Sequence, residues 1–279
     1  ETNQNLLRQF IDTAKTKYEV GKGLQQDVLL AQVELSKLFD RKIQLNSMQK
    51  HQKIKLNLLM NQLPNTDFRL DLNIVKNLPK LRSESGLYQL AETTSPLLRA
   101  LNHQLDASQA RVDLAKRDFY PNFKAGITYG DRDGHNPPLM GGDSRSDFLS
   151  FKLGVSLPIY AHRKQSKALS QRKHELAAGR FHLQDLKKKV LADISTQITE
   201  YDKAKQQAEL FETGLIPQSK QTVASMLAGY QVNQVDFLNL VRSQITLLHY
   251  ELQYWKALTE AKQAAAKLIA TVGKESIYE

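Results

Sequence analysis

The sequence predicts a mainly α-helical protein with long antiparallel coiled-coil helices and one β-hairpin, and three observations support this fold class. Residues 18–38, YEVGKGLQQDVLLAQVELSKL, recur without a gap as residues 230–250, YQVNQVDFLNLVRSQITLLHY. Residues 161–273 contain only four glycines and one proline, a composition that favours long helices. Between residues 119 and 160 the apolar residues recur with a period of two, as they do in β-strands.

The repeat keeps one register over its whole length. Tyr18 aligns with Tyr230, and Gly21 aligns with Asn233. The Gly/Asn exchange is informative, because these two residue types tolerate a left-handed backbone most readily. The same register continues until Asn61 aligns with Gly273. A duplicated helix of this length indicates a tandem structural repeat.

The first third of the chain is predicted to contain two helices and a connector. Residues 1–62 form the last helix of a first structural repeat, with a single continuous helix over 5–62. Residues 63–85 contain two prolines and are predicted to be an irregular connector. The second repeat covers 86–275 and begins with a helix over 86–118, in which Ser95 provides a cap and Pro96 restarts the helix.

Residues 119–160 are predicted to form a β-hairpin. In the second strand the odd-numbered residues from Leu149 to Ile159 are all apolar, whereas the even-numbered residues are small or polar. Two such strands with one apolar face match a transmembrane β-hairpin. The alternative is a hairpin whose apolar face covers a soluble core. We favour the membrane, because helices of more than 50 residues offer no compact core to cover.

The last third is predicted to be a helical hairpin. One helix covers 161–213, with a leucine or valine every seven residues, and another covers 217–273 and ends at Gly273. Gly214 and Pro217 suggest a tight turn at 213–217 as the far end of this coiled coil. The exposed Leu215–Ile216 pair in that turn is either a contact surface or a staple that packs on itself.

Composition excludes several classes of function. The net charge of +10 favours acidic partners, and the absence of cysteine excludes disulfides and thiolate metal sites. His174 and Glu175 begin the segment HELAA, but Ala178 stands where a zinc-protease helix has its second histidine. No nucleotide-binding loop is present, so we expect no enzyme activity, no cofactor and no metal.

A basic stretch from His162 to Lys173 follows the second predicted strand. It either contacts anionic lipid headgroups or is a solvated helix face. Aromatic residues are not interleaved with it, which weakens a nucleic-acid interpretation. Five aromatic residues lie at the strand ends, where a membrane barrel has its aromatic girdle: Phe119, Tyr120, Tyr129, Phe148 and Tyr160.

The order of elements resembles the TolC family of outer-membrane efflux channels. The matching stretches are the two copies of the repeat, Ser95-Pro96-Leu97 with its continuation ARVDLAKRDFYPNF, and KLGVSLPIYAHRKQSKA. The resemblance implies a homotrimer in which each protomer adds four strands to a 12-stranded barrel above a periplasmic helical tunnel. Only the second strand pair is present here, so the chain resembles an N-terminally incomplete member.

The resemblance also implies a function and partners. The protein would be the passive outer-membrane channel of a tripartite efflux or type I secretion system, with a periplasmic adaptor (a membrane fusion protein) and an inner-membrane pump. Its location would be the outer membrane, with a periplasmic helical extension and no nucleic-acid partner. The predicted adaptor-contact tip is Gly214, Leu215, Ile216 and Pro217, and the predicted lumen-facing strand positions are Lys124, Thr128, Ser150, Lys152 and Ser156. The alternative is a soluble periplasmic coiled-coil adaptor or scaffold.

Overall fold

The computed structural model of the chain describes residues 2–69, 76–132 and 147–279. Parts of the predicted connector and of the hairpin loop therefore lie outside the described residues. The described chain is mainly helical, in the order α1 (Thr2–Glu19), α2 (Gln25–Leu59), α3 (Glu84–Thr94), α4 (Pro96–Arg117), β1 (Asn122–Gly130), β2 (Phe148–Ser156), α5 (Gln165–Leu210), a π-helical segment (Phe211–Leu215), α6 (Ile216–Gln231) and α7 (Phe237–Val272).

The chain forms two compact units. The first contains residues 1–81, 196–267 and 278–279, and the second contains residues 82–195 and 268–277. The core of the first unit is built from α1, α2, α6 and α7, with Phe10, Phe237 and Leu240 almost completely buried. In the second unit the seven-residue repeat of α5 supplies core residues, since Leu176 and Val190 are buried there.

The two copies of the repeat each contain a break that the sequence analysis did not predict. The predicted helix over 5–62 is two helices, α1 and α2, and the predicted helix over 217–273 is α6 followed by α7. Gly21 (φ 71°) and Asn233 (φ 62°) occupy the two breaks, and both have the left-handed backbone that the Gly/Asn exchange indicated. A left-handed residue ends a helix, so each predicted long helix is divided there.

The hydrogen bonds at the two breaks are equivalent. Lys22 N donates to Lys17 O at 2.8 Å, and Gln234 N donates to Gly229 O at 2.9 Å, which is the six-to-one bond of a Schellman motif. The second ends of the repeats also agree, because Asn61 (φ 54°) and Gly273 (φ 83°) follow α2 and α7. We call residues 20–24 and 232–236 the first and second helix reversals.

Each reversal brings two positions so close that one of them must be glycine. A Cβ added to Gly23 would lie 2.9 Å from Lys17 Cβ, and a Cβ added to Gly229 would lie 2.5 Å from Val235 Cγ2. Lys17 aligns with Gly229 and Gly23 aligns with Val235, so the glycine is on opposite sides of the contact in the two copies. Both copies therefore keep the close contact, but the glycine and the larger residue exchange positions.

Gly229→Ala is therefore expected to destabilise the protein by about 1–3 kcal/mol, the usual cost of an overpacked core position. Denaturant unfolding followed by circular dichroism measures this change. The double variant Gly229→Lys with Val235→Gly recreates the pair found at the first reversal and should recover most of the loss. If the double variant is less stable than Gly229→Lys alone and than Val235→Gly alone, the close contact between positions 229 and 235 is not the cause of the loss.

The predicted turn at 213–217 is absent. Residues 211–215 form a π-helical segment that continues directly into α6, and Leu215 (φ −65°, ψ −41°) and Ile216 (φ −67°, ψ −48°) have helical dihedrals. Pro217 has no amide hydrogen and its ring would crowd the carbonyl four residues earlier, and the wider π turn accommodates this. The glycine and proline therefore widen a helix here and do not reverse the chain.

The other predicted boundaries differ by smaller amounts. The predicted helix over 86–118 is divided into α3 and α4 at Ser95, and Pro96 restarts it as expected, although the Ser95 side chain makes no capping hydrogen bond. The connector ends in a short pairing with the end of the chain, through a Leu81–Tyr278 bridge and a bond from Glu279 N to Lys80 O of 3.1 Å.

Candidate functional site

The β-hairpin separates polar and apolar residues onto opposite faces. β1 and β2 are antiparallel, with Lys124 opposite Gly154, Gly126 opposite Lys152 and Thr128 opposite Ser150. Directly opposed residues in an antiparallel pair lie on the same face. One face therefore carries all five residues predicted to face a lumen: Lys124, Thr128, Ser150, Lys152 and Ser156. The structure brings these residues onto one face, whereas their orientation toward a lumen stays a prediction.

The opposite face is apolar apart from the Tyr129 hydroxyl at one end, and it is uncovered. It pairs Phe123 with Val155, Ala125 with Leu153 and Ile127 with Phe151. The side chain of Leu153 is 90% exposed, and the large residues around it are also exposed. No described residue packs over this face, so the alternative of a hairpin that covers a core of this chain is not found in the described structure.

The length of the strands determines the thickness of membrane that the apolar face could span. Each strand has nine residues, which corresponds to roughly 30 Å along the strand. A strand tilted by about 40° would span roughly 23 Å, close to the apolar band of about 25 Å on outer-membrane barrels. Both strands end inside the predicted hairpin of 119–160. Pro121 and Pro158 lie close to these ends and have no N–H to donate to the strand ladder.

The end of the hairpin next to its loop is held by a polar cluster. The Tyr129 hydroxyl donates to Asp147, and Arg132 N donates to Asp147 Oδ1 at 3.0 Å. These hydrogen bonds, the one from Tyr129 first, lower the pKa of Asp147. Phe148 lies on the polar face, over Gly130 and under the Arg132 guanidinium at 4.3 Å. Phe148 therefore differs from the predicted girdle, since it does not share the apolar face.

The basic stretch after β2 is only partly neutralised within the chain. Arg172 pairs with Glu175 at 2.8 Å. In the part of the chain that the structure describes, Arg163, Lys164 and Lys167 have no ion pair. Both interpretations of the stretch, a headgroup contact and a solvated face, stay open on this observation.

The two helix reversals are linked by a buried tyrosine. The Tyr230 hydroxyl donates to Asp27 Oδ2 at 3.3 Å, and its ring packs on Phe237 with centroids 5.0 Å apart. Lys17 Nζ lies 4.1 Å from the centre of the Tyr230 ring and donates to the Tyr230 backbone oxygen. Burial and the nearby Asp27 raise the pKa of Tyr230. The repeat drew attention to Tyr230, but nothing in the sequence indicated Asp27 as its partner.

Asp27 has an unfavourable charge in this cluster. Burial raises its pKa above the ordinary 3.8, and repulsion from Asp236 adds to this, although the Tyr230 hydrogen bond opposes both. A carboxyl whose pKa is raised by folding binds its proton more tightly in the folded state. The folded state therefore loses stability as the pH rises from below 3.8 through the raised pKa.

Asp27→Asn should accordingly raise the melting temperature at pH 7 and leave it unchanged at pH 3. The amide oxygen still accepts the Tyr230 hydrogen bond, and the aligned position in the other copy is already Asn239. Thermal unfolding at the two pH values measures the effect. The exposed Asp12→Asn is the control with the same change in charge, and an equal effect of both variants would contradict a special role for Asp27.

The predicted adaptor-contact tip does not lie at the end of a helical hairpin. Gly214, Leu215, Ile216 and Pro217 are all within continuous helix, and Ile216 is half-buried against the core of the first unit. The predicted turn is wrong, and both the exposed contact and the self-packed staple depended on it. An adaptor contact by these four residues is untested by the structure.

The structure shows no metal centre and no spanning helix in the regions it describes. Over residues 2–69, 76–132 and 147–279, no group of three or more histidine, aspartate or glutamate residues could hold a metal ion. No described helix is long and apolar enough to cross a membrane.

Comparison with known proteins identifies one matching family and several solved structures of similar fold. A family model described as outer membrane efflux protein matches residues 87–274. No curated protein sequence matches significantly. Similar solved structures include the outer-membrane channel OprN (TM-score 0.79, 19% identity, 98% of this chain and 60% of that chain). VceC of Vibrio cholerae (0.76, 15%, 98% and 64%) and the open MtrE channel of Neisseria gonorrhoeae (0.74, 15%, 99% and 63%) are also similar.

At these identities the structural likeness is one of fold. The chain spans about 60% of the length of the channel OprN. Nearly the whole of this chain takes part in the match, since 98% of its residues align with OprN.

Proposed function

The chain belongs to the outer membrane efflux protein family, and from this premise we propose that it contributes to the outer-membrane channel of a tripartite efflux or type I secretion system. In this role it conducts substrates passively, and the family is one of channel proteins rather than enzymes. Substrates would be delivered by an inner-membrane pump through a periplasmic adaptor.

The observation that carries this proposal is the uncovered apolar face of the hairpin. A face that holds Phe123, Ile127, Phe151 and Leu153 in water is unfavourable, because each large apolar side chain gains about 1.5–3 kcal/mol on burial. The hairpin's polar face and roughly 23 Å span suit a strand pair with lipid on one side and water on the other.

We further propose a homotrimeric assembly in which this hairpin is one part of a closed barrel. A two-stranded sheet leaves both edges unpaired, which lipid does not tolerate, so strands from other segments or protomers must complete it. In that barrel Lys124, Thr128, Ser150, Lys152 and Ser156 would line the lumen. Lys124 and Lys152 would give this part of the lumen a positive charge.

The adaptor contact is better placed at the helix reversals than at residues 214–217. The reversals are where pairs of helices end, which is the property that the tip prediction required. Each also exposes a valine at the same position of the repeat, Val20 at 62% and Val232 at 63%. A single exposed apolar residue is ordinary, but the same exposed valine in both reversals, with Leu24 also exposed in the first, supports a protein contact there.

The soluble adaptor alternative is less well supported. The family model describes an outer membrane protein and covers the hairpin. A soluble adaptor would also have to cover the apolar face of the hairpin, and no described residue does so.

Light scattering on a size-exclusion column, with and without detergent, tests the proposal. A trimer that requires detergent is the expected result. A monomer that stays soluble without detergent, and that does not float with lipid vesicles, would overturn the membrane assignment.

A further inference from the structure

A cavity of about 400 Å³ lies at the base of the hairpin, within the second unit. It is surrounded by the end of α4, the start of β1, the end of β2 and the start of α5. Its lining includes Asp118, Tyr120, Ile159, Tyr160, Lys164 and Gln165. Asn122 and Ser156 of the polar face also line it, so the cavity lies at the end of both strands, a level that the proposed function puts at the membrane boundary.

The cavity carries one unpaired cation and one unpaired anion. Lys164 and Asp118 both line it, and within the described residues neither forms an ion pair or a side-chain hydrogen bond, with the other or with a third residue. Opposite charges that share a cavity without pairing suit a ligand that carries both charges. A purely anionic ligand would leave Asp118 opposed to it.

Gln165, one of the lining residues, has a buried acceptor without a donor. Gln165 Oε1 is inaccessible to solvent and has no hydrogen-bond partner. Buried polar atoms are nearly always satisfied, so an orphaned acceptor indicates a group that supplies a donor there. A ligand with an N–H group next to its positive charge would provide that donor.

The remaining lining is typical of a membrane–water boundary. Tyr120 and Tyr160 are exposed, and tyrosine is enriched at the level of lipid headgroups. Leu157 and Ile159, also exposed, line the cavity and follow the odd-numbered apolar residues of β2. A ligand with a polar head in the cavity would thus have an apolar surface for its tail.

We propose that this cavity binds the phosphoethanolamine headgroup of a phospholipid. Lys164 pairs with the phosphate, while the Asp118 carboxylate and Gln165 Oε1 accept hydrogen bonds from the primary ammonium. Phosphatidylglycerol has no ammonium for Asp118, and the quaternary ammonium of phosphatidylcholine has no N–H to donate. The inference rests on the proposed function, because it requires the hairpin base to lie at a membrane surface.

Native mass spectrometry of the protein released from detergent tests the proposal directly. The probes are palmitoyl-oleoyl phosphatidylethanolamine, phosphatidylglycerol and phosphatidylcholine, offered in equal amounts. We expect retention of phosphatidylethanolamine about tenfold above phosphatidylcholine, the effect of one charge-assisted hydrogen bond. Asp118→Asn should abolish this preference, and Lys164→Gln should lower retention of all three lipids.

Gln165→Leu separates binding from folding. It removes the orphaned acceptor with little change in size, so the melting temperature should stay constant or rise while phosphatidylethanolamine retention falls. Lys167→Gln and Asp106→Asn are matched controls, since each removes a similar charge from α5 or α4 away from the cavity. Both should bind lipid as the unmodified protein does.

Two results would overturn the proposal. One is equal retention of the three lipids by the unmodified protein. The other is a loss of retention in Lys167→Gln as large as in Lys164→Gln, which would indicate a diffuse basic surface. Vesicle flotation keeps this failure distinct from failure of the proposed function: a protein that floats without headgroup preference loses only the cavity assignment.

Discussion

Leu153→Arg is expected to weaken membrane insertion of the hairpin by about 2–4 kcal/mol, the cost of an arginine on the lipid face near the bilayer midplane. Leu153 is 90% exposed at the middle of the apolar face and lies opposite Ala125, which offers no partner for a charge. The expected change corresponds to a fall of roughly 30-fold to 1000-fold in partitioning. Equilibrium flotation with vesicles over a range of lipid concentrations measures it.

Ser150→Arg is the matched control. It adds the same side chain to the same strand, but on the face that carries Lys124 and Lys152. That face would meet water in the lumen, so partitioning should change little. If both variants lose partitioning equally, the two faces do not differ in environment, and the proposal of lipid on one side and water on the other fails.

Gly273→Ala is expected to destabilise the second unit by about 2–5 kcal/mol, which combines left-handed backbone strain with overpacking. Gly273 has a φ of 83°, and a Cβ there would lie 2.4 Å from Thr94 O and 2.7 Å from Pro96 Cδ. The obstacle includes backbone, so a side-chain rearrangement cannot relieve it. Chemical denaturation of the purified protein measures the loss.

Gly21→Ala isolates the backbone contribution. Gly21 has a similar φ of 71°, but nothing lies within 4 Å of the Cβ position. The expected cost is therefore only about 1–2 kcal/mol. Gly21→Asn should cost less, because the repeat places Asn233 in that conformation, whereas Gly273→Asn should be as damaging as Gly273→Ala. Equal losses at positions 21 and 273 would show that the contact with Thr94 is unimportant.

The sequence predicted the hairpin faces correctly, whereas its predicted turn at 213–217 was wrong and neither helix reversal was predicted. Alternation in β1 and β2 assigns every side chain to a face, so Lys124 and Ser150 could be grouped before any contact was known. Gly214 and Pro217 suggested a turn by composition alone, but a helix can include both when a π segment widens it. Gly21 and Asn233 carried the correct signal, yet their alignment did not state that each ends a helix.

The predicted functional residues divide in the same way. The five strand positions share one face, as the pattern required. The predicted tip at 214–217 lies inside a helix. The tyrosine that does connect the reversals acts through Asp27, whose aligned residue in the other copy is the uncharged Asn239. A pairing across more than 200 residues leaves no local pattern in the chain.

By itself the sequence determined the family resemblance, the helical content, the two faces of the hairpin and the left-handed positions, because period and backbone conformation depend on neighbouring residues. Only the tertiary structure decided that Gly273 is confined by Thr94 while Gly21 is free, that Tyr230 meets Asp27, and that Asp118 and Lys164 share a cavity. Those contacts depend on which distant segments meet, and packing between segments selects them.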